Sequence, residues 1–341
     1  MDSLTHIALG ASLGYVLFGR RLGRTAALAG GLAAFVPDAD VFIRSAADPL
    51  VAIEYHRGFT HALGFAPIGA AIVAALWLVR PAWRDRPRWR ALWACCLVAY
   101  VSHALLDAAT SYGTRLAWPF SDHRAGWDLI SIIDPPFTIA LLAGLIVALR
   151  RQRAAPGVIA LGAAAAYLLC GYLQHTRASA VVRELARTRG HAIERIEVMP
   201  TLANNIVWRA LYLADGRIHA DRIRVGWFSA PSVRAGWSLP LVRAADLTAT
   251  EASRNTRRSF ERFAWFSEHW VARRPGDDTF LGDMRYSLST EAFDPIWGIR
   301  FTAPDAPTEV VWVNRTRDRD LGVRPLWAEI SGRDPRFVVA P

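Results

Sequence analysis

The sequence contains no lysine, so all 40 of its basic residues are arginine, and it has only three cysteines among 341 residues. Cys95, Cys96 and Cys170 lie inside apolar runs, which is typical of small buried side chains and excludes a disulfide framework. The N-terminus lacks the basic region of a secretory signal, so we expect no cleavable signal peptide. The missing lysine itself carries no functional meaning.

The apolar residues are unevenly distributed. They make up 52% of the chain, whose mean hydropathy of +0.17 is high for a soluble protein. They concentrate before residue 175, after which charged and polar residues alternate with tryptophan and phenylalanine. This shift predicts a membrane-embedded domain over residues 1–175 and a small soluble α+β domain over residues 176–341.

Six apolar runs predict an all-α integral membrane bundle of about six helices. They are Leu4–Phe18, Thr25–Val36, His61–Val79, Ala91–Thr110, Pro136–Leu149 and Gly157–Gln174. A helix needs about 20 residues to cross roughly 30 Å of hydrocarbon. The first two runs are shorter than that, and two tilted helices or one re-entrant hairpin would both accommodate them.

Arginines predict how the bundle is oriented. Those after the first, third and fifth runs are Arg20, Arg21, Arg24, Arg80, Arg84, Arg86, Arg88, Arg90, Arg150, Arg151 and Arg153. The alternate connections, 37–60 and 110–135, carry far fewer. The positive-inside rule therefore places the Arg-rich loops in the cytoplasm of a bacterial cell. The N-terminus, the alternate connections and the soluble domain are expected outside the inner membrane.

The net charge of +10 fits the same interpretation. A basic protein can bind nucleic acid or an anionic membrane surface. Because many arginines lie in short loops between apolar runs, we expect membrane lipids as partners and no nucleic acid. The sequence does not specify an oligomeric state.

Several histidines and aspartates are predicted to meet on the outer side of the membrane. They are His6, Asp38, Asp40, His56, His61, His103 and Asp107. The topology was derived from arginines alone, so this convergence is an independent observation. Carboxylates and imidazoles at membrane depth are costly unless they are paired, and a shared partner is therefore expected.

These residue types predict a metal site. Imidazole and carboxylate are standard ligands of Zn²⁺, and Mn²⁺ or Fe²⁺ also accepts them. His103 and Asp107 are four residues apart, on one helix face. Asp38 and Asp40 would supply a ligand and a residue that orients a histidine. A single one of these residues is more often a helix cap or an interface residue, so the hypothesis depends on the whole set.

The motifs together resemble a known family. Met1-Asp2-Ser3-Leu4-Thr5-His6, Pro37-Asp38-Ala39-Asp40, His56-Arg57-Gly58-Phe59-Thr60-His61, Ser102-His103-Ala104-Leu105-Leu106-Asp107 and Asp134-Pro135 are similar to the YdjM-type family. Its members are membrane-bound, metal-dependent hydrolases, also described as LexA-binding inner-membrane proteins. The order of the motifs is also similar to zinc-dependent phospholipase C and P1-type nucleases.

The resemblance implies a ligand set. Asp38 or Asp40, His61 or His56, His103 and Asp107 would hold one ion, and His6 with Asp107 would bind a second. Further downstream ligands of those enzymes have no counterpart here. The metal ligands are therefore expected to be His6, Asp38, His61, His103 and Asp107, around one or two ions.

The expected function is metal-dependent hydrolysis at the outer face of the inner membrane. The catalytic candidates are Asp40 as a base, His56 as a proton donor and Arg57 as a partner for an anionic oxygen. The depth of the site suggests a phosphoester or lipid-linked substrate. The alternative is a regulatory or scaffold protein with a structural metal and a partner-binding C-terminal domain. A transporter is disfavoured, since the runs 61–79 and 157–174 carry no interior charge.

Overall fold

The computed structural model divides the chain into two compact units. The first comprises residues 1–43, 55–173 and 202–204, and the second comprises residues 44–54, 174–201 and 205–341. The N-terminal half is helical and the C-terminal half is rich in sheet. The residues that the structure describes are 1–79, 81–248, 251, 253–287, 293–302, 310–318 and 323–341.

Seven α-helices precede the first strand in the described residues. They are α1 (Ser3–Leu22), α2 (Thr25–Phe35), α3 (Val51–Tyr55), α4 (Ala66–Ala75), α5 (Arg86–Ala108), α6 (Pro135–Arg151) and α7 (Ala155–Thr188). Short 3₁₀ helices follow α2 at Val36–Phe42, precede α4 at Phe59–His61 and follow α4 at Leu76–Val79. Asp2 caps α1 by accepting from the amide of Thr5, and Asp134 caps α6 in the same way.

Three segments are long and apolar enough to cross a membrane, namely Thr25–Phe42, Arg86–Ala108 and Ala155–Thr188. The pair Val51–His61 and Ala66–Val79 counts as a fourth if it is one span broken by an 82° bend. The run His61–Val79 is therefore not the straight helix that the sequence predicts. In the described part of the chain α1 and α6 do not qualify, and the prediction of about six apolar helices is not supported.

Helices α1 and α2 pack with their backbones in contact. A Cβ atom added to Gly10 would lie 2.5 Å from the carbonyl oxygen of Gly30, and one added to Gly30 would lie 2.3 Å from that of Gly10. Small residues allow this approach, which is the usual way that apolar helices associate in lipid. Cys95 and Cys96 of α5 are buried in the adjoining core, as expected from the sequence.

The second unit contains two antiparallel sheets among its described residues. The first sheet has the order β1 (Arg195–Pro200), β2 (Val207–Ala214), β3 (Arg217–Arg224), β4 (Ser232–Pro240) and β9 (Val338–Val339). The second has the order β5 (Val271–Arg274), β6 (Asp277–Asp283), β7 (Trp297–Phe301) and β8 (Val310–Asn314). The helices α8 (Arg254–Phe266) and α9 (Val323–Ser331) accompany them.

The sequence predicts part of this sheet structure correctly. Asp215 and Gly216 both have positive φ in the hairpin between β2 and β3, as its Asp-Gly signal requires. The amphipathic pattern of residues 250–273 predicts a helix, but this is wrong at the C-terminal end, because α8 stops at Phe266 and Val271–Arg274 is a strand. The sequence also predicts a strand over residues 284–289, where the structure has a turn and an isolated bridge up to Ser287; the last two residues lie outside the described range.

A row of arginines crosses the first sheet beneath α9. Arg222 of β3 is paired in register with Arg209 of β2 and Arg234 of β4. The Glu329 carboxylate accepts from Arg222 at 2.6 Å and lies 3.0 Å from Arg234, and it is almost fully buried. Buried cations require such a partner, so this carboxylate fixes α9 to the sheet.

Substituting Gly10 should disrupt the α1–α2 contact. Gly10→Val would force the two backbones apart and lower the free energy of unfolding by about 1–3 kcal/mol or more, because the contact is backbone to backbone. Thermal unfolding of the detergent-solubilised protein measures this effect. Gly162→Val is the matched control, since a Cβ atom there would meet nothing within 4 Å. Equal midpoints for the two variants would contradict the packing described.

Removing the buried carboxylate of α9 should destabilise the second unit. Glu329→Ala leaves two buried guanidinium groups without this partner, which should cost about 3–5 kcal/mol. Denaturant unfolding, followed by tryptophan fluorescence, measures the loss. Glu184→Ala is the control, because Glu184 pairs with Arg187 on an exposed helix surface. A loss of similar size in the control would show that the buried network is not the cause.

Candidate metal centre

The histidines and aspartates predicted to meet do lie together, at one end of the first unit. His6 comes from the first turns of α1, and Asp38 and Asp40 from the 3₁₀ helix after α2. His103 and Asp107 come from the last turns of α5. The chain that follows α3 supplies the remaining two, His56 and His61, together with Arg57.

Four of these residues surround one point. One donor atom each from Asp38, His61, His103 and Asp107 lies within 4.8 Å of all the others. The Nε2 atoms of His61 and His103 are 2.9 Å apart. Their distances to Oδ1 of Asp38 are 3.8 and 3.6 Å, and those to Oδ2 of Asp107 are 3.2 and 3.5 Å. Ligands at 2.0–2.1 Å from a tetrahedral zinc ion are about 3.3–3.4 Å apart.

The rings of both histidines are oriented by acceptors on their far side. Nδ1–H of His103 donates to the carbonyl oxygen of Ala34 at 2.6 Å. Nδ1 of His61 lies 3.0 Å from Oγ1 of Thr60 and 3.3 Å from Oδ2 of Asp40. With hydrogen on each Nδ1, both Nε2 lone pairs point into the four-donor site. Two acceptor atoms in contact repel each other unless a cation lies between them.

Asp107 divides its two oxygens between different partners. Oδ2 faces the four-donor site, lies 3.0 Å from Nε of Arg57, and accepts no hydrogen bond in the described residues. Oδ1 accepts from the amine of Met1 and lies 3.0 Å from Nε2 of His6. The ring of His6 stacks on that of His103 at 3.7 Å. Asp107 thus contacts the four-donor site with one oxygen and His6 with the other.

Asp40 is not one of the four donors but organises the turn that contains His61. Its Oδ1 lies 2.8 Å from Nδ1 of His56, and its Oδ2 accepts from the backbone amide of Arg57 at 2.8 Å and from the Thr60 hydroxyl at 3.1 Å. Asp40 is almost completely buried. Of the roles that the sequence left open for Asp40, which are metal ligand, orienting residue and catalytic base, the geometry favours orienting a histidine.

The turn after α3 is held in an unusual backbone conformation. Arg57 has a φ of +56°, which is uncommon for a residue with a side chain. Gly58 follows it, and a Cβ atom there would lie 2.7 Å from the carbonyl oxygen of Tyr55. The hydrogen bond that the backbone amide of Arg57 donates to Asp40 stabilises this conformation. Strain of this kind occurs at sites where it directs functional side chains.

The guanidinium of Arg57 is buried and turned toward the protein. Nη1 donates to Oγ1 of Thr110 at 2.9 Å and to the carbonyl oxygen of Asp107 at 3.4 Å. The group also lies 4.7 Å from the ring centre of Tyr112. Arg57 therefore balances part of the charge of Asp107. Its predicted contact with an anionic oxygen of a substrate stays a prediction.

The donor set fits a divalent cation. Asp38, Asp40 and Asp107 bring three carboxylates into a largely buried cluster, whereas Arg57 is the arginine placed among them. Burying carboxylates without compensating charge is strongly unfavourable. A cation at the centre of the four donors would also explain why Asp107 Oδ2 accepts no hydrogen bond among the described residues and why the two imidazole nitrogens face each other. One side of the cluster is open, because Asp38 is 15% and His56 is 27% exposed.

Sequence reasoning missed residues that hold the ligands in place. The hydroxyl of Tyr100 donates to the carbonyl oxygen of Thr60 at 2.7 Å, beside His61, and the hydroxyl of Ser3 donates to Asp38 at 2.9 Å. Tyr100 precedes His103 by three residues, so helical periodicity was a signal that could have identified it. The carbonyl oxygen of Ala34, which accepts from His103, belongs to the backbone, so no side-chain pattern could have identified it. The hydroxyl of Thr60 bridges Asp40 and His61.

Comparisons with known proteins find similarity to inner membrane proteins. A family model described as YdjM inner membrane protein matches residues 1–178, which contain every residue of the site. Inner membrane protein YbcI of Escherichia coli (strain K12) is 31% identical over 144 residues, which are 40% of this chain and 78% of the relative. No solved structure matches the chain significantly. A similarity to phospholipase C or nucleases is not among these findings.

The residues that carried the resemblance in the sequence are the ones that the structure gathers into the four-donor site and its surroundings. The chain therefore belongs to the YdjM inner membrane protein family.

Proposed function

We propose that this chain is a membrane-bound, metal-dependent hydrolase. The observation that supports it most is the close approach of the donor atoms of Asp38, His61, His103 and Asp107, which all lie within 4.8 Å of one another. A divalent cation held there would polarise a scissile bond and lower the pKa of a bound water molecule. Family membership supports the inner-membrane location and leaves the reaction to be tested.

The residues around the four donors are suited to moving protons. Nδ1–H of His56 donates to Asp40, which fixes the orientation of the ring and leaves the opposite nitrogen, Nε2, to transfer a proton to a leaving group. The partial exposure of His56 lets it regain that proton from solvent. Asp40 itself is engaged by three donors, so we assign it to positioning and assign His56 to proton transfer.

The substrate is proposed to be a phosphoester on an amphipathic or lipid-linked molecule. The side chains next to the open edge are apolar and exposed. Val41 and Phe42, which follow Asp40, are 38% and 83% exposed, and Tyr55, which precedes His56, is 44% exposed. Exposed apolar groups beside a polar site suit a ligand with an apolar part and an anionic head.

Zinc is the proposed metal. Two imidazoles and two carboxylates at tetrahedral spacing suit Zn²⁺, while Mn²⁺ and Fe²⁺ prefer more oxygen ligands or a larger coordination number. A second ion is proposed beside the first, held by His6 and the other oxygen of Asp107. The 3.0 Å approach of these two groups supports it.

The site is proposed to face the periplasm. Arginines cluster in the loops after the first, third and fifth apolar runs and are sparse in the connections that contain the site residues. The same rule gives a multi-pass chain whose C-terminal domain lies outside the cytoplasm. Lipids would then be its immediate neighbours.

A structural metal is the second candidate function. Four protein ligands at tetrahedral spacing are typical of closed sites, whereas catalytic zinc sites usually have three protein ligands and a water molecule. In that case the first unit would be a scaffold and the C-terminal domain would bind a partner.

Removing a ligand should abolish tight metal binding. The detergent-purified protein should bind Zn²⁺ or Co²⁺, and His103→Ala or Asp107→Asn should weaken binding by more than about 100-fold, since losing even an orienting residue costs 10–100-fold. Metal analysis and Co²⁺ titration measure this. His123→Ala, at an exposed loop histidine, should bind as the wild type does. Full metal content in the ligand variants would refute the assignment.

The Co²⁺-loaded protein also distinguishes the two functions. In an open site inorganic phosphate should change the visible spectrum, and lipid phosphoesters should be hydrolysed at a rate that falls by about 100-fold or more in His56→Ala. The His56 variant should keep the metal. An unchanged spectrum with no hydrolysis would favour the structural role.

A further inference from the structure

The connection between two residues of the metal centre belongs to the other unit. Residues 44–54 join Asp40 to His56, yet they group with the C-terminal unit rather than with the helices on either side. Leu50 and Ile53 within the segment are buried. The segment also has internal order, because Oδ1 of Asp48 accepts from the amide of Leu50 at 3.0 Å.

One arginine of the C-terminal unit holds this segment at two points. Arg262 of α8 donates through Nη1 to Oδ2 of Asp48 at 2.8 Å and through Nη2 to Oε2 of Glu54 at 2.6 Å. A planar guanidinium that binds two carboxylates restricts both their separation and their direction. The three side chains are 22–40% exposed, so each ion pair alone contributes little, and their joint geometry matters more.

The segment runs into the metal centre at both ends. Asp40 is four residues before its start and binds His56 and the turn that contains His61. Glu54 is two residues before His56. Movement of the segment would therefore alter the pairing of Asp40 with His56. That pairing keeps Asp40 in place beside Nδ1 of His61.

We propose that Arg262 is a positioning residue for the metal centre, acting through residues 44–54. The C-terminal unit thereby contributes to metal affinity, and a partner or condition that displaces α8 from the segment would weaken the centre. The proposal rests on the proposed function in one respect, that the four donors bind a metal ion. It does not require hydrolysis.

Three variants of the full-length protein in detergent test the proposal. Arg262→Ala should weaken Co²⁺ binding by about 3- to 10-fold, and Arg262→Glu by more, because it repels both carboxylates. Combining Arg262→Glu with Glu54→Arg should recover much of the loss. Hydrogen exchange of residues 41–57 should be faster in both single variants than in the wild type and slower again in the double variant.

Two further variants make the result decisive. Arg258→Ala removes an exposed arginine from the same helix and should leave both readouts unchanged. Asp40→Asn should weaken Co²⁺ binding without altering α8. If Asp40→Asn weakens binding and the Arg262 variants do not, the proposal is overturned while the metal centre stands. If the wild type binds no Co²⁺, the proposed function and this inference both fail.

Discussion

The arrangement of the first unit depends on one electrostatic requirement. The Nε2 atoms of His61 and His103 face each other at 2.9 Å, beside an oxygen of Asp107 that accepts no hydrogen bond among the described residues. Neither imidazole can turn away, because acceptors on the opposite side occupy both Nδ1 atoms. These lone pairs need a shared positive charge, which a divalent cation would supply. The surrounding contacts serve mainly to keep the four donors in this mutual position.

The local sequence explains how distant residues reach that position. Pro37 has no amide hydrogen, so α2 ends before it and continues as a 3₁₀ helix, which carries Asp38 and Asp40 toward α5. The close contact of α1 and α2 at Gly10 and Gly30 brings the start of α1 beside the same end of α5. The ligand positions are therefore a consequence of backbone approach as much as of side-chain chemistry.

Residue type and spacing predicted most of the centre but not its internal division of roles. His103 and Asp107 were identifiable because helical spacing places them on one face. The sequence could not decide between Asp38 and Asp40, since both follow the same helix, and only their directions separate a metal donor from a positioning residue. The Ala34 carbonyl has no side-chain signature.

The bend after His61 was missed because hydropathy records apolar content and not the 3₁₀ turn or the Pro67 at the start of α4. In the C-terminal unit the Asp-Gly hairpin was evident, whereas β5, in which two of the four residues are arginine, does not resemble an apolar strand.

Arginines of the C-terminal unit fix the positions of other segments of that unit. Arg222 and Arg234 share Glu329, and Arg262 binds two acidic residues of a segment that leads into the metal centre. Ion pairs of this kind contribute specificity of position more than stability, because their Coulombic gain is offset by desolvation or screening. A domain assembled with such contacts can hold a loop in one place and release it at small energetic cost. That property suits the positioning role proposed for Arg262, which would keep residues 44–54 in place between Asp40 and His56.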